Sequence, residues 1–379
     1  MRALMIGYYG AHNLGDDLML LCLRQWLAKQ GVECTVLAAD AAQVERLYGL
    51  PAIQHVPLLG EYAWFTAWGR AQALRPIRSM WNHQALIVGG GDIIREDAGW
   101  KQFFLSVEYP ILAILMGKPV YILSAGIGVP RTKRGRAMVG WVLRRCQKIY
   151  VRDQRSLEVC RDLGAGEQTR LLPDIVSSLP HQFNLAGMDL TPSQPRGRRY
   201  VVINVRDTPN LYGQYALTEK RLENLAAGFN HLISAHGLDL VFVPYAGSAL
   251  EDDSRMHRSI AAKMPGADRV MVREWTSNVS EIAELLGHAH CMVAMRLHAA
   301  IMALAFAVPC AVMPYDHKLR ELIRARNLRN VILPETLDYP DRLTAVLDAT
   351  VQEGYQAERR MEADAWASAT LESACQSPT

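Results

Sequence analysis

The chain has 379 residues, of which 50% are hydrophobic and 21% charged, a length that suits two domains and a composition that excludes wholesale disorder. Its formal net charge, 41 − 38 = +3, is too small for the basic surplus of a nucleic-acid-binding protein, so we expect no nucleic acid partner. The seven cysteines form no CxxC pair, which favours reduced thiols and a cytoplasmic location. The longest apolar run, 299–315, is interrupted by Pro309 and Pro314, so we expect no membrane span.

Short apolar runs alternate with helical stretches through the first part of the chain. Strands are predicted at 4–6, 35–37, 85–88, 120–123 and 148–151, and an apolar helix at 17–30. Each strand is nearly continuous in apolar residues and ends in glycine or a polar residue. This pattern is typical of a parallel sheet that is covered on both faces.

A second series of the same kind follows a segment rich in proline and glycine. Its strands are predicted at 200–205, 240–243, 291–294 and 310–313. We therefore predict an α/β protein with one domain at 1–180, a linker at 181–199, a second domain at 200–350, and a C-terminal helix and tail at 351–379. Ligands of open parallel sheets bind at the carboxyl ends of the strands, so polar residues there are the site candidates.

The first strand runs into a glycine-rich loop that ends at Asp16 and Asp17. Its glycines permit tight turns and close approach of the backbone to a ligand, and the two aspartates suit the cap of a helix N-terminus. A capped turn alone would explain these residues, but the added His12 and Asn13 favour a ligand-binding loop. The spacing is not GxGxxG, so the dinucleotide fingerprint is absent.

Two further glycine-rich segments follow strands of the first domain. One is Gly89, Gly90, Gly91 and Asp92, and the other spans 124–128. We interpret both as turns from strand to helix at the same edge of the sheet, forming the glycine-lined floor of a cleft. Neither contains GK[ST], so there is no P-loop.

Arginines stand at the ends of two strands. Arg152 follows 148–151, where its guanidinium could bind a carboxylate or phosphate in a forked manner, or simply pair with Asp153. Arg206 repeats this placement in the second domain, two residues after Asn204, and a surface pair with Asp207 is the corresponding plain alternative.

The segment Arg296, Leu297, His298 carries the strongest signal. It follows a strand and opens a long apolar helix, where polar groups are costly to bury unless they are paired or face a site. Histidine also suits proton transfer at neutral pH. About twenty residues later, Lys318 follows another strand in a loop that is either solvated or directed to the same pocket. A structural, hydrogen-bonded histidine is the plain alternative for His298.

Metal-ligand and nucleophile motifs are missing. The sequence contains no HExxH, CxxC or DxD motif and no GxSxG elbow, so we expect neither a metal nor a serine nucleophile.

These motifs together resemble those of the polysaccharide pyruvyl transferases, over most of the chain. The resemblance is carried by residues 7–10 with 13–17, and by 89–92, 151–153, 296–299 and 315–318. It implies a GT-B-like fold of two Rossmann-like domains facing across a cleft, with the acceptor on the N-terminal side and the donor on the C-terminal side. It further implies phosphoenolpyruvate as donor, a sugar as acceptor, a cyclic ketal as product, and no cofactor beyond this co-substrate.

The resemblance also implies that Arg152, Arg296, His298 and Lys318 line the donor site. We hypothesise that His298 is the general acid–base and that the three cationic residues hold the carboxylate and phosphate of the donor. Asp16 or Asp17 would orient the acceptor hydroxyls. The remaining candidate substrate contacts are Asn13, Gly90, Gly91, Asp92 and Leu297.

Other interpretations stay open from the sequence. A GT-B glycosyltransferase that uses a nucleotide sugar would have the same architecture, and a non-catalytic glycan-binding module is a third possibility. A basic block at 131–148 is either a solvated helix face or a surface for an anionic membrane or a polyprenyl-diphosphate-linked acceptor. The acceptor sugar, its hydroxyl pair (4,6 or 3,4) and the oligomeric state are not specified by these patterns.

Overall fold

The computed structural model describes residues 1–57, 67–94, 100–183, 199–206, 216–248, 251–265, 267–353 and 357–375. The chain divides into two compact units. The first comprises residues 1–11, 16–175 and 369–379, and the second comprises 12–15 and 176–368. The chain thus passes from one unit to the next after Ile175, and residues 184–198 of the predicted linker lie outside the described ranges.

The first unit is built on an eight-stranded sheet in which every pairing is parallel. Its strands are β1 (Arg2–Ile6), β2 (Glu33–Ala38), β3 (Ala52–Gln54), β4 (Ala85–Gly89), β5 (Asp92–Ile94), β6 (Val120–Ile127), β7 (Lys148–Val151) and β8 (Thr169–Leu171). They lie in the order β3-β2-β1-β4-β6-β7-β8, with β5 paired to β6. The helices are α1 (Leu14–Lys29), α2 (Ala41–Tyr48), α3 (Ala67–Asn82), α4 (Trp100–Leu115), α5 (Lys133–Leu143) and α6 (Gln154–Asp162).

The second unit is built on a five-stranded parallel sheet in the order β11-β10-β9-β12-β13. Its strands are β9 (Tyr200–Asn204), β10 (Asp239–Phe242), β11 (Val270–Val272), β12 (Cys291–Ala294) and β13 (Cys310–Val312). Its helices are α7 (Leu179–Gln182), α8 (Glu219–His236), α9 (Asp253–Ala261), α10 (Val279–Gly287), α11 (Leu297–Ala305), α12 (His317–Arg326), α13 (Pro334–Asp338), α14 (Pro340–Glu353) and α15 (Ala357–Cys375), the last of which continues into residues assigned to the first unit.

Burial of apolar strands explains why these segments pair as they do. Every residue of β4, β9 and β12 is buried, as expected for strands covered by helices on both faces. In the first unit Leu86, Val88 and Ile122 belong to one hydrophobic core with residues of the helices around them. The predicted α/β class with parallel sheets is therefore confirmed.

Each sheet reverses its strand order once. In the first unit the order turns back beside β1 and β4, and in the second beside β9 and β12. In doubly wound sheets, ligands bind outside the carboxyl ends of the strands at this switch point. The glycine-rich segments end β1 and β4, and Asn204 and Arg296 mark the ends of β9 and β12.

Two local expectations are wrong. Gly89 to Asp92 does not turn directly into a helix, because Asp92 starts the short strand β5 beside β6. The segment 124–128 is not a turn after the strand, since β6 continues to Ile127 with an irregular register and a positive φ of 53° at Ser124. A second ladder partner, β5, keeps this part of β6 hydrogen-bonded.

The cysteines whose side chains are described are free thiols. Within the described ranges, no helix has both the length and the hydropathy needed to cross a bilayer.

Candidate active site

The carboxyl edge of the second sheet is tied together by the buried side chain of Asn204. Its Oδ1 accepts a hydrogen bond from the backbone N–H of Arg296 at 3.0 Å, and its Nδ2 donates to the carbonyl of Val243 at 3.1 Å. Because these partners follow β12 and β10, one amide connects the ends of three strands. The start of α11 is fixed in this way.

Arg296 is the N-cap residue of α11 and lies in a double ion pair. Its Nε and Nη2 donate to the carboxylate of Asp253, with 2.7 Å between Nη2 and Oδ1, and its Nη1 donates to Glu251 at 3.0 Å. The Asp253 side chain is 1% exposed, whereas that of Glu251 is 47% exposed. Asp253 also accepts the N–H groups of Tyr245 and Ala246, which anchors the pair to the loop after β10.

The ion pair keeps both of its partners charged. Burial alone would raise the pKa of Asp253 and lower that of Arg296, but their mutual attraction outweighs burial. The pKa of Asp253 is therefore lowered from its ordinary value and that of Arg296 is raised. Carboxylates engage all three guanidinium nitrogens of Arg296, so its contact with an anionic substrate stays a prediction.

Arg206 and Tyr315 extend the same network. Arg206 donates through Nη1 to the hydroxyl of Tyr315 at 2.8 Å and through Nη2 to Glu251 at 3.1 Å, and its guanidinium carbon lies 4.9 Å from the centroid of the Tyr315 ring. Burial raises the pKa of Tyr315 to about 12, so its hydroxyl remains protonated. Glu251 thus bridges Arg206 and Arg296 at the accessible side of the network.

His298 lies in the first turn of α11, half-buried like its neighbour Leu297. The imidazole packs against Gly15, because a Cβ placed on that glycine would come within 2.1 Å of the His298 Nδ1. No side chain larger than hydrogen fits at residue 15 without moving the imidazole. The position of His298 therefore depends on a residue far away in sequence.

The segment 12–15 belongs to the second unit and is bonded to the loop after β10. Leu14 donates its N–H to the Tyr245 carbonyl at 2.8 Å, and Gly247 donates its N–H to the His12 carbonyl at 3.0 Å. Asn13 closes the segment by accepting the Gly15 N–H on its Oδ1 at 3.1 Å. These bonds give the glycine-rich loop a structural role beside His298, and the substrate contact predicted for Asn13 stays a prediction.

Lys318 lies half-buried in the first turn of α12, which follows β13. Asp316 is the N-cap of this helix and accepts the N–H of Leu319 at 3.0 Å. Because α11 and α12 both begin at the carboxyl edge, their first N–H groups and the positive ends of their dipoles face this edge. This arrangement favours an anion.

The corresponding edge of the first unit holds a second buried arginine. Arg152 donates to Asp92 at 3.1 Å and to Asp174 at 2.9 Å. Burial alone would lower the pKa of Arg152, but the two carboxylates raise it. Asp174 follows β8 and was not among the sequence candidates, although a polar residue after a strand is the same signal that pointed to Arg152.

Asp16 and Asp17 lie in the first turn of α1 rather than capping it, because the helix starts at Leu14. Asp16 lies over the glycine turn, where a Cβ on Gly91 would be 2.8 Å from its Oδ1. Gly90 and Gly91 both have a φ of 74°, which favours glycine.

Asp17 is fully buried and holds the loop that precedes it. Its Oδ1 accepts the N–H of Gly10 at 3.1 Å, and its Oδ2 accepts the hydroxyl of Tyr48 at 2.9 Å. Burial raises the pKa of Asp17 to about 7. The hydrogen bonds show a structural role, and a role toward the substrate stays a prediction.

The structure places the predicted residues in two sets. At the carboxyl edge of the second sheet lie Asn13, Arg296, Leu297, His298 and Lys318. The second set lies at the carboxyl edge of the first sheet and comprises Asp16, Asp17, Gly90, Gly91, Asp92 and Arg152.

The sequence matches the family described as polysaccharide pyruvyl transferase over residues 13–317. The amylovoran biosynthesis protein AmsJ of Erwinia amylovora is 22% identical over 244 residues, and this match covers 62% of the chain and 58% of the length of that relative.

Solved structures share the fold at low identity. The MnaA–UDP structure from S. aureus has a TM-score of 0.62 at 13% identity, and the match covers 98% of this chain and 92% of the MnaA chain. The kitacinnamycin glycotransferase has a TM-score of 0.51 at 18% identity, and the match covers 99% of this chain and 97% of the glycotransferase chain. These matches show a GT-B-type fold made of Rossmann-like units.

Proposed function

The chain belongs to the polysaccharide pyruvyl transferase family, and we propose that it transfers the pyruvyl group of phosphoenolpyruvate to a sugar of a cell-surface polysaccharide or its precursor. The products are a cyclic ketal and phosphate. The observation that carries the proposal is the carboxyl edge of the second sheet, where Arg296, His298 and Lys318 lie at the starts of two helices. The name of the AmsJ relative, an amylovoran biosynthesis protein, supports a polysaccharide as the molecule that is modified.

The donor carries two anionic groups, a carboxylate and a phosphate. We assign them to Arg296, Lys318 and the first N–H groups of α11 and α12, because arginine and lysine bind both groups and helix N-termini favour anions. Asp253 and Glu251 orient Arg296 for this contact. Arg152 is a further candidate and is held in the same way by Asp92 and Asp174.

The chemistry needs one proton donor and a stabilised leaving group. A proton is added to C3 of phosphoenolpyruvate, which becomes the methyl group, and positive charge develops at C2. One sugar hydroxyl bonds to C2 and loses its proton, the C2–O bond to phosphate breaks, and a second hydroxyl bonds to C2 and loses its proton to close the ketal. Of the two protons that the hydroxyls lose, one balances the proton added to C3 and the other leaves with the phosphate. We assign the transfer of a proton to C3 and from the attacking hydroxyl to His298, a role worth typically 10²–10⁴-fold in rate.

The acceptor hydroxyls would be oriented by residues of the first unit. Asp16 lies over the Gly90–Gly91 turn, where a Cβ on Gly91 would be 2.8 Å from its Oδ1, and we propose that this carboxylate accepts hydrogen bonds from the acceptor hydroxyls. Asp17 and Asp92 complete this set, and Asn13 of the second unit is a further proposed substrate contact.

A glycosyltransferase that uses a nucleotide sugar is the second candidate, since the MnaA structure is described with UDP and shares the fold. The two functions release different products. The purified chain is incubated with phosphoenolpyruvate, and separately with UDP-sugars, over a panel of glycan acceptors that are free, nucleotide-linked or lipid-diphosphate-linked. Acceptor-dependent release of phosphate supports pyruvyl transfer, and release of UDP instead would replace it with the second candidate.

A lipid-linked acceptor would bring the enzyme to the cytoplasmic face of the membrane. Exposed cations on and beside α5 would contact anionic headgroups; they are Arg131, Lys133, Arg134, Arg136, Arg144 and Arg145. Sedimentation with vesicles of rising phosphatidylserine content measures this contact. We expect binding to increase with anionic lipid and to fall with salt, and binding indifferent to both would contradict it.

A further inference from the structure

A cluster of two histidines and one aspartate lies on two helices of the second unit. His231 and His236 belong to α8 and Asp348 to α14. The Nε2 atoms of His231 and His236 lie 2.9 and 2.6 Å from the same oxygen, Oδ1 of Asp348. Within the described part of the chain, these three form the group of His, Cys, Asp or Glu residues whose ligand atoms all lie within 4.8 Å of one another.

We propose that His231, His236 and Asp348 bind a divalent transition-metal ion, with zinc as the best match. Zinc takes imidazole nitrogen and carboxylate oxygen at about 2.0–2.2 Å in a tetrahedron, which separates neighbouring ligand atoms by roughly 3.3 Å. The two Nε2–Oδ1 distances would lengthen by about 0.4 and 0.7 Å to reach this value. The ion takes the place of the protons that now join the imidazoles to the carboxylate.

The surroundings of the cluster suit an ion and its fourth ligand. The side chains of His231, His236 and Asp348 are 33%, 22% and 31% exposed, so an ion can enter and a water molecule can complete the tetrahedron. Two imidazoles and one carboxylate form the donor set found in several zinc sites.

The cluster lies where α8 and α14 are closely packed. A Cβ added to Gly228, one turn before His231, would come within 2.9 Å of Leu343 on α14. An ion bound to residues of both helices would therefore join two helices that are already in close contact. The metal thus has a stabilising role, and it binds the folded unit in preference to the unfolded chain.

The cluster lies at the opposite edge of the sheet from the candidate active site. His236 is the last residue of α8 and precedes Asp239, where β10 begins, so it lies at the amino edge. His298 and Lys318 start helices at the carboxyl edge. Metal binding is therefore separate from pyruvyl transfer, and either proposal can fail without the other.

Titration of the full-length, chelator-treated and dialysed protein with Zn²⁺ tests the proposal, by calorimetry and by thermal unfolding. We expect one Zn²⁺ ion to bind each chain with high affinity, and the Tm to rise by about 5 °C when the free Zn²⁺ concentration is about 100 times Kd. With Co²⁺ as the probe, a tetrahedral site gives an intense visible absorption.

Variants assign the binding to the cluster. His231→Ala with His236→Ala removes two ligands, and we expect affinity to fall more than about 100-fold. Asp348→Asn keeps the shape of the side chain and guards against a folding defect; it should weaken binding and the Co²⁺ spectrum. The matched control is His181→Ala, whose imidazole pairs with Asp364 at 3.0 Å in the same unit. Among the described residues this pair belongs to no group of three metal ligands, so the variant should bind like the wild type. Absence of zinc binding by the wild type, or equal binding by the double variant, would overturn the proposal.

Discussion

Replacing Asp253 by asparagine tests how the candidate site is held together. Asp253 is buried and accepts hydrogen bonds from Arg296, from the N–H groups of Tyr245 and Ala246, and from Asn204. Asparagine has the same shape but offers one acceptor oxygen instead of two. Whichever way its amide is turned, an NH₂ group faces N–H donors.

The expected loss of stability in Asp253→Asn arises because the guanidinium of Arg296 stays buried without its charged partner. Removing one partner of a buried ion pair typically destabilises a protein by about 3–5 kcal/mol, because the other charge remains buried without full compensation. Glu251→Gln is the matched control, since Glu251 also accepts from Arg296 but is half-exposed, and a pair of this kind is worth about 1 kcal/mol or less. We expect the difference between the two variants to be about 2–4 kcal/mol.

Urea unfolding of the full chain measures both variants. At neutral pH Asp253→Asn should lower the free energy of unfolding by the larger amount. The folded-state pKa of Asp253 is below its unfolded value, so its stabilisation is present above the unfolded pKa and is lost as the pH falls through the folded pKa. The gap between wild type and variant should therefore narrow in acid. Equal, small losses in Asp253→Asn and Glu251→Gln would refute the buried ion pair.

Substitutions at three further residues test the site. Lys318→Ala should raise KM for phosphoenolpyruvate about 10–100-fold while Lys318→Arg restores most of it, and an unchanged KM would remove Lys318 from the donor site. Gly15→Ala should displace the His298 imidazole and lower kcat at least about tenfold in steady-state assays; wild-type turnover would contradict their contact. The folded-state pKa of Asp17 is about 7, above its unfolded value, so the free energy of unfolding of the wild type should fall by up to about 4 kcal/mol as the pH rises from 4 to 7. Asp17→Asn should flatten this pH dependence in thermal unfolding. An unaltered pH dependence in the variant would contradict the raised pKa of Asp17.

Strand ends could be predicted from the sequence because the signal is local. Each of the strands that end at Arg152, Asn204 and Arg296 is a continuous apolar run followed by a polar residue, which is sufficient to locate the carboxyl edge. The strands that escaped prediction, β3, β5, β8 and β11, are three residues long and too short for any periodicity. β13 is equally short but could be predicted, because it lies within the longest apolar run of the chain, so the apolar context as well as the length decides which strands are found.

The partners of the site residues could not be predicted, because they depend on contacts distant in sequence. Asp253 is one of three adjacent acidic residues, and its burial against Arg296 arises only in the fold, which brings the start of α9 to Asn204 and Arg296. Gly15 and His298 are likewise brought together by the fold. The two buried arginines predicted to be anion ligands are also paired with carboxylates of the chain, which residue type alone does not reveal.

The proposed pyruvyl transfer adds a proton to C3 of phosphoenolpyruvate, and NMR of the product formed in D₂O tests this step most directly. With phosphoenolpyruvate and an acceptor that supports phosphate release, we predict a pyruvyl ketal whose methyl group carries one deuterium, with one phosphate released for each ketal. His298→Ala should form this product at a rate 10²–10⁴-fold lower with an unchanged Tm. Phosphate without a ketal, or a ketal formed equally well by His298→Ala, would contradict the account.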